Sequence, residues 1–184
     1  MKELSLNILD IAENSVRAGA SLTEIIIDET EKVLSLTIKD NGCGMTTEQL
    51  KGVVDPFFTT RTTRKVGLGI PLLKLSAEQT GGSFEISSVS EKDNPQNHGT
   101  TVKTVFLKDS IDFTPLGNTV SSVVTLIQGH PETDFSFCHT FFEKSVRLDT
   151  RELREQLEGV PLNTFEVIKW VEEYLGEQYS DLYK

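Results

Sequence analysis

Cysteine is scarce in this chain, which has two among its 184 residues. Cys43 and Cys138 are far apart in sequence and form no C-x-x-C pair, so neither a disulfide framework nor a structural zinc site is expected. No apolar run approaches the roughly 18 residues that a membrane-spanning helix needs. Acidic residues outnumber basic ones by 28 to 18, and the resulting net charge of −10 disfavours an extended nucleic-acid-binding surface.

The rest of the composition is that of an ordinary globular protein. Hydrophobic residues make up 37% and charged residues 25% of the chain, which is enough apolar material for a sizeable core. The N-terminus lacks a basic segment followed by an apolar one, so we expect a cytoplasmic protein. The length suits one domain, or one domain with a small appendage.

Hydrophobic periodicity predicts a chain of helices and strands. Apolar residues at helical spacing predict a first helix over 3–18, which Gly19 ends. Up to Lys108 the pattern predicts strands at 21–27, 32–39, 83–89 and 100–107, and helices at 47–53 and 70–79. Beyond Lys108 it predicts helices at 116–128, 151–158 and 164–179, and strands at 134–142 and 146–149. The change in character there places a domain boundary near residue 109.

The polar side of the first helix carries the first candidate site. Asn7, Asp10, Asn14 and Arg17 gather on this side, and Asp10 and Asn14 are neighbours because they lie four residues apart. A carboxylate beside a carboxamide can hold a hydrated cation and a polarised water. A polar helix face is more often simply solvated, so this pair carries little weight alone.

A second motif, Asp40-x-Gly42-x-Gly44, ends the second predicted strand. A carboxylate at a strand end can accept a hydrogen bond from an exocyclic amine, and glycines let a base or a ribose approach the backbone closely. A hairpin turn made of Asp, Asn and Gly explains the same residues, so this motif alone does not define a site.

Two more glycine motifs follow. Gly67-Leu68-Gly69 opens a helix, where free N–H groups and the helix dipole favour a phosphate. Arg61 belongs to a short basic cluster just before it, which is either a phosphate contact or solvated surface. The fourth motif, Gly99-Thr100-Thr101, begins a strand and has no meaning by itself.

The order and spacing of the four motifs resemble the Bergerat ATP-binding fold of gyrase B, heat-shock chaperone, histidine kinase and MutL-type (GHKL) ATPases. Residues 10–20 resemble the N-box, especially its MutL form, and residues 40–45 resemble the first glycine box. Residues 55–60 and 67–70 resemble the F box and second glycine box of histidine kinases, and residues 98–102 resemble the final glycine motif. The resemblance predicts a two-layer α/β sandwich over 1–109, with a mixed sheet and helices on one face. The alternating strand and amphipathic helices of 110–184 predict a small α+β extension, so the whole chain is assigned to the α+β class.

The resemblance also implies roles for matching residues. Asn14 would supply its side-chain oxygen to Mg²⁺, and Asp40 would recognise the adenine amino group together with Thr100 or Thr101. Residues 55–66 would form a lid that closes over ATP. The implied ATP-binding residues are Asn14, Asp40, Gly42, Gly44, Thr59, Thr60, Arg61, Gly67, Leu68, Gly69, Thr100 and Thr101.

Three departures from the family pattern bear on mechanism. Asp10 occupies the place where hydrolysing members carry a glutamate that orients or deprotonates the attacking water, and it is one methylene shorter, so we expect slow hydrolysis at best. The lid is short, which argues against a chaperone-like cycle. The strand and helix that usually precede the N-box are expected to be missing or replaced. Because a helical hairpin with a phospho-accepting histidine is not seen before the N-box helix either, self-phosphorylation on histidine is not expected, and His139 is interpreted as a core or interface histidine.

Three functional hypotheses follow. The first is an ATP-binding regulator of kinase-like architecture that acts on a separate protein through its nucleotide state or by phosphotransfer. The second is a slow ATPase in which Asp10 orients the water. The third is a non-catalytic module in which ATP stabilises a binding surface.

The segment 110–184 resembles no family that we can name. Its aromatic residues raise the hypothesis of partner binding or a homodimer, although a core of its own explains them more simply. These residues are Phe135, Phe137, Phe141, Phe142, Phe165, Trp170 and Tyr174.

Overall fold

A computed structural model describes residues 3–54 and 68–184. The predicted lid, which contains Thr59, Thr60 and Arg61, lies outside the described residues. So does Gly67, the first residue of the Gly67-Leu68-Gly69 motif. The helices are α1 (Leu4–Arg17), α2 (Thr47–Val54), α3 (Gly69–Gln79), α4 (Thr119–Gly129), α5 (Thr150–Leu157) and α6 (Phe165–Leu182). The strands are β1 (Leu22–Glu29), β2 (Val33–Asp40), β3 (Ser83–Val89), β4 (Gly99–Leu107), β5 (Asp134–Phe141) and β6 (Lys144–Asp149).

The strands form one mixed sheet in the order β3-β4-β2-β1-β5-β6. Neighbours are antiparallel except for β1 and β5, which run parallel over eight residue pairs, from Leu22 with Asp134 to Glu29 with Phe141. The predicted α+β fold with a mixed sheet is thereby confirmed. The strands β5 and β6 lie beyond residue 109 and extend the same sheet, so backbone hydrogen bonds between β1 and β5 join the two sides of the proposed domain boundary. The boundary itself stays a prediction.

The core lies between one face of the sheet and the helices α1, α3, α4 and α6. Side chains alternate along each strand, so every second residue faces the helices, such as Ile25 and Ile27 in β1 or Phe135 and Phe137 in β5, and these are buried. The other face of the central strands carries partly exposed and charged side chains, among them the ion pair Glu24–Lys39. This alternation makes the structure two layers deep.

One expectation for α1 is wrong. Asn7 was assigned to the exposed polar side with Asp10, but its side chain is 2% exposed. The helices α3 and α4 both pack against α1 in addition to the sheet, so more of the α1 surface is covered than its apolar face alone. Periodicity identifies the apolar face of a helix, and it does not show which polar residues a second helix covers.

A buried polar network ties the C-terminal helix to the end of β1. His139, fully buried, contacts Glu29 Oε2 through Nε2 at 3.0 Å and the Tyr179 hydroxyl through Nδ1 at 2.9 Å. The Tyr183 hydroxyl and the Lys108 ammonium also donate to Glu29, at 2.9 and 2.6 Å. Burial alone would raise the pKa of Glu29, but these hydrogen bonds outweigh it and lower the pKa from 4.5 to about 2.

None of the helices described in 3–54 and 68–184 is both long enough and apolar enough to cross a membrane.

Candidate functional site

A cavity of about 560 Å³ opens at the end of the sheet where β2 finishes and β4 begins. The C-terminal half of α1 forms one wall, and α2, the start of α3 and the loop between β3 and β4 form the others. Its lining residues are Ile11, Asn14, Ser15, Arg17, Ala18, Ile38, Asp40, Cys43, Gly44, Met45, Thr46, Gln49, Val53, Ile70, Ser90, Glu91, Lys92, Thr100 and Val102. Apolar walls with a few polar groups are typical of small-molecule sites.

Asp40, the last residue of β2, is held in one orientation. Its Oδ1 accepts from the backbone N–H groups of Gly42 at 2.9 Å and Thr100 at 3.3 Å, and its Oδ2 accepts from the Ser15 hydroxyl at 2.8 Å. A carboxylate oxygen has two lone pairs, so Oδ2 can accept one more hydrogen bond from a ligand in the cavity. The site therefore presents a fixed acceptor on its floor.

The segment 42–45 turns sharply beside Asp40, and its geometry requires glycine. Gly44 has φ +63°, and a Cβ there would overlap the carbonyl oxygen of Val89. The backbone N–H of Cys43 donates to the Ala18 carbonyl at 2.9 Å, which attaches the turn to the end of α1. Glycine at position 44 therefore lets the turn pack closely against the backbone of Val89 at the end of β3.

Asp10, on α1 about two turns before Ala18, contacts Gly69 at the start of α3. A Cβ on Gly69 would overlap the Asp10 Oδ2 atom, so the carboxylate lies directly against the N-terminus of α3. Asn14 stands one turn further along α1 and lines the cavity, and its Oδ1 accepts from Arg17 at 3.3 Å. The cavity thus has an Asp40 end and an end lined by Asn14 and Ile70. Asp10, the predicted catalytic residue, lies against Gly69 and is not itself among the lining residues.

The sequence-predicted residues fall into groups. Asn14, Asp40, Gly44 and Thr100 line the cavity together, and Gly42 adjoins them through its bond to Asp40. Thr101 lies next to Thr100 on β4, and its side chain points to the opposite face of the sheet. Leu68 precedes α3 and is 61% exposed.

Sequence reasoning missed several polar residues of the site. Ser15 is buried and holds Asp40, yet a serine inside a helix carries no signal of its own. Ser88 accepts from the Met45 N–H and lies 2.9 Å from the Thr100 hydroxyl. His98 belongs to the predicted final glycine motif, but its bond from Nδ1 to the Gly42 carbonyl, at 2.5 Å, was not expected. Ser15 and Ser88 are identified only by their contacts in the structure.

A second cavity of about 520 Å³ lies at the β6 edge of the sheet, against α5 and α6. The rings of Trp170 and Tyr174 stack there with centroids 4.7 Å apart, and both side chains are partly exposed. Phe135 and Phe137, by contrast, belong to the shared core. The aromatic residues beyond residue 109 are therefore divided between core and surface.

Residues 2–111 match the family of histidine kinase-, DNA gyrase B-, and HSP90-like ATPases. Since this match covers 110 of the 184 residues, the chain belongs to that family. The resemblance seen in the motifs is thereby confirmed.

Sensor protein SrrB of Staphylococcus aureus (strain NCTC 8325 / PS 47) is 33% identical to this chain over 93 residues. The aligned region is 48% of this chain and 16% of SrrB, so the chain spans about a sixth of the length of the curated relatives it matches.

Two solved structures share the fold. The MutL ATPase domain of Aquifex aeolicus, a complex with ADP, superposes with a TM-score of 0.54 at 16% identity, over 86% of this chain and 68% of that one. The N-terminal domain of a DNA repair protein gives a TM-score of 0.52 at 16% identity, over 81% and 53%. Coverage of 86% requires that the fold likeness extends past residue 111 into the C-terminal strands and helices.

Proposed function

We propose that this chain is a histidine-kinase-like regulatory protein that binds Mg-ATP in the cavity beside Asp40. Its nucleotide state, or transfer of the γ-phosphate, would act on a separate protein. The observation that carries the proposal is the Asp40 carboxylate, fixed by two backbone N–H groups and one hydroxyl with acceptor capacity left toward the cavity. Family membership and the ADP complex of the MutL neighbour support the choice of nucleotide.

The chemistry of the Asp40 end suits adenine. The exocyclic amino group of adenine is a donor, which complements an ionised carboxylate that can only accept. Guanine presents an oxygen acceptor at the equivalent position and would face the carboxylate unfavourably. Ile38 and Val102 line the same end and offer apolar surface to a planar base. We therefore infer that the cavity selects adenine nucleotides.

The other end suits phosphates and Mg²⁺. The first backbone N–H groups of α3, beginning with Gly69, have no acceptor within the helix because it begins there, so they can donate to a phosphate, which the helix dipole also favours. Asn14 Oδ1 is a hard oxygen donor, and the described part of the chain contains no cluster of three or more His, Cys, Asp or Glu residues that would bind a metal by itself. That donor set fits Mg²⁺, which keeps waters and takes further oxygens from phosphates and, when bound, neutralises phosphate charge.

Binding titrations with Asp40→Asn test this proposal. The carboxamide must keep its oxygen toward the N–H groups of Gly42 and Thr100, so its NH₂ group would face the adenine amino group, donor against donor. We expect ATP affinity to fall about 10- to 100-fold, the value of one hydrogen bond to a charged group. Asp28→Asn is the matched control, because Asp28 is exposed and lies near the end of β1 that is remote from Asp40. Equal ATP affinity in Asp40→Asn and Asp28→Asn would contradict the proposal.

A second candidate, slow ATP hydrolysis, is favoured by the position of Asp10. Its carboxylate lies against the N-terminus of α3, next to the groups proposed to hold the phosphates. Asp10 would orient the attacking water, and its short reach would keep turnover well below the roughly 10 per second of typical enzymes. Release of labelled γ-phosphate from Mg-ATP measures this rate. Asp10→Asn should stop the release; release at the wild-type rate in this variant excludes the role.

A further inference from the structure

We propose that the loop between β3 and β4, residues 90–98, is part of the nucleotide site, and that Lys92 contacts the base and ribose half of the ligand. This inference rests on the proposed function and adds a binding residue to it. None of the four glycine and asparagine motifs contains Lys92, which emerges from the contacts of the loop.

The 90–98 loop is attached to the glycine turn that forms the Asp40 end. The Glu91 N–H donates to the Cys43 carbonyl at 2.9 Å, and at the other end of the loop His98 Nδ1 donates to the Gly42 carbonyl at 2.5 Å. Ser90 is buried at 6% exposure, and its carbonyl and hydroxyl accept from the N–H groups of the next turn. The loop is therefore built against the site, although its side chains from Glu91 to Asn97 are exposed.

Lys92 lines the cavity at the Asp40 end, where the base is proposed to bind. Cys43, to which the loop is attached, is bonded in turn to Ala18, the residue just after α1. Asp10, which meets the α3 N-terminus, lies eight residues earlier, and this corresponds to about 12 Å along a helix. The loop thus joins the cavity on the side of Ala18, Gly42 and Asp40, away from the contact between Asp10 and Gly69.

The chemistry of Lys92 complements that of Asp40. An ammonium group offers three donors and no acceptor, whereas Asp40 offers only acceptors. Ring nitrogens of a purine and the ribose oxygens are acceptors that Asp40 cannot satisfy. Lys92 lies on the same side of the cavity as Asp40 and is the charged donor among the cavity-lining residues of this loop.

Titrations of Lys92→Ala with ATP, ADP and adenosine test the assignment. Because Lys92 is exposed to water, we expect a loss of about 3- to 10-fold, the value of an ordinary hydrogen bond and less than that of a buried one to a charged group. The loss should be the same for all three ligands, since all three carry the base and ribose. Lys103→Ala is the matched control, because it removes the same charge from an exposed position on the outer face of β4.

The outcomes separate the two proposals. An equal loss for ATP, ADP and adenosine in Lys92→Ala, absent in Lys103→Ala, supports the inference. A loss confined to ATP and ADP overturns it, because Lys92 would then act on phosphates, and unchanged affinities overturn it as well. If wild-type protein binds neither ATP nor adenosine, the proposed function itself fails, and the inference fails with it.

His98 provides a second test through the attachment of the loop. His98→Ala removes the bond to Gly42 and should weaken adenosine binding, and the effect should largely disappear when Lys92 is already alanine. Additive losses in the double variant would contradict the view that the loop acts through Lys92.

Discussion

Replacing Glu29 by glutamine removes the charge at the centre of the network that joins β1 to the C-terminal helix. Glu29 is 8% exposed and accepts from His139, Lys108 and Tyr183. Because these contacts lower its pKa from 4.5 to about 2, the folded state holds the ionised form more tightly than the unfolded chain does.

The magnitude follows from the two pKa values. Each pKa unit corresponds to about 1.4 kcal/mol, so the lowering from 4.5 to about 2 contributes about 3 kcal/mol to the free energy of unfolding. A carboxyl group with a depressed pKa stabilises fully above its unfolded pKa. The contribution is therefore present above about pH 4.5 and is lost as the pH falls toward 2.

Urea unfolding of wild-type and Glu29→Gln proteins at several pH values between 2 and 7 measures this contribution. The variant should be about 3 kcal/mol less stable at pH 7, and the difference should shrink below pH 4.5 and nearly vanish at pH 2. Glu85→Gln, at an exposed position of β3, is the control and should change little. A deficit of the same size at every pH, or no deficit at pH 7, would refute the reasoning.

Three further predictions concern the site and the sheet. Ser15→Ala removes the hydroxyl that holds Asp40 Oδ2 and should raise the dissociation constant for ATP about 3- to 10-fold in a binding titration; an unchanged constant would show that Asp40 needs no such support. Gly44→Ala should lower the free energy of unfolding by about 1–3 kcal/mol and weaken ATP binding, because alanine is strained at φ +63° and its Cβ would overlap the Val89 carbonyl. A melting temperature equal to that of the wild type would contradict this geometry. Truncation after residue 109 removes β5, the partner of β1, so we expect circular dichroism and size-exclusion chromatography to show an unfolded or aggregated chain rather than a stable domain.

The secondary structure was predictable because its signals are local. The first helix was expected over 3–18 and spans Leu4–Arg17, and the second was expected over 47–53 and spans Thr47–Val54. Period and capping determine such elements within a few residues. The parallel pairing of β1 with β5 was not expected, because the two strands are separated by more than a hundred residues and by a change in sequence character.

The site was predictable where glycine, aspartate and asparagine residues repeat a family spacing. Asp40, Asn14 and Gly44 carry such spacing, and the structure places them around one cavity. Ser15 and Lys92 do not, because a hydroxyl inside a helix and a lysine in a polar loop look the same in sequence whether they face a ligand or water. Their positions depend on tertiary contacts, namely the bond from Ser15 to Asp40 and the attachment of the 90–98 loop to Cys43.

The most direct measurement of the central claim is a titration of Mg-ATP into ¹⁵N-labelled protein, followed by two-dimensional amide spectra. We expect the amide signals of residues 14–18, 42–45, 90–92 and 100–102 to shift with ATP, while those of residues 144–149 and 170–178, at the second cavity, stay in place. Shifts that cluster around Trp170 and Tyr174, or spectra that do not change at millimolar ATP, would contradict the assignment of the cavity beside Asp40 as the nucleotide site.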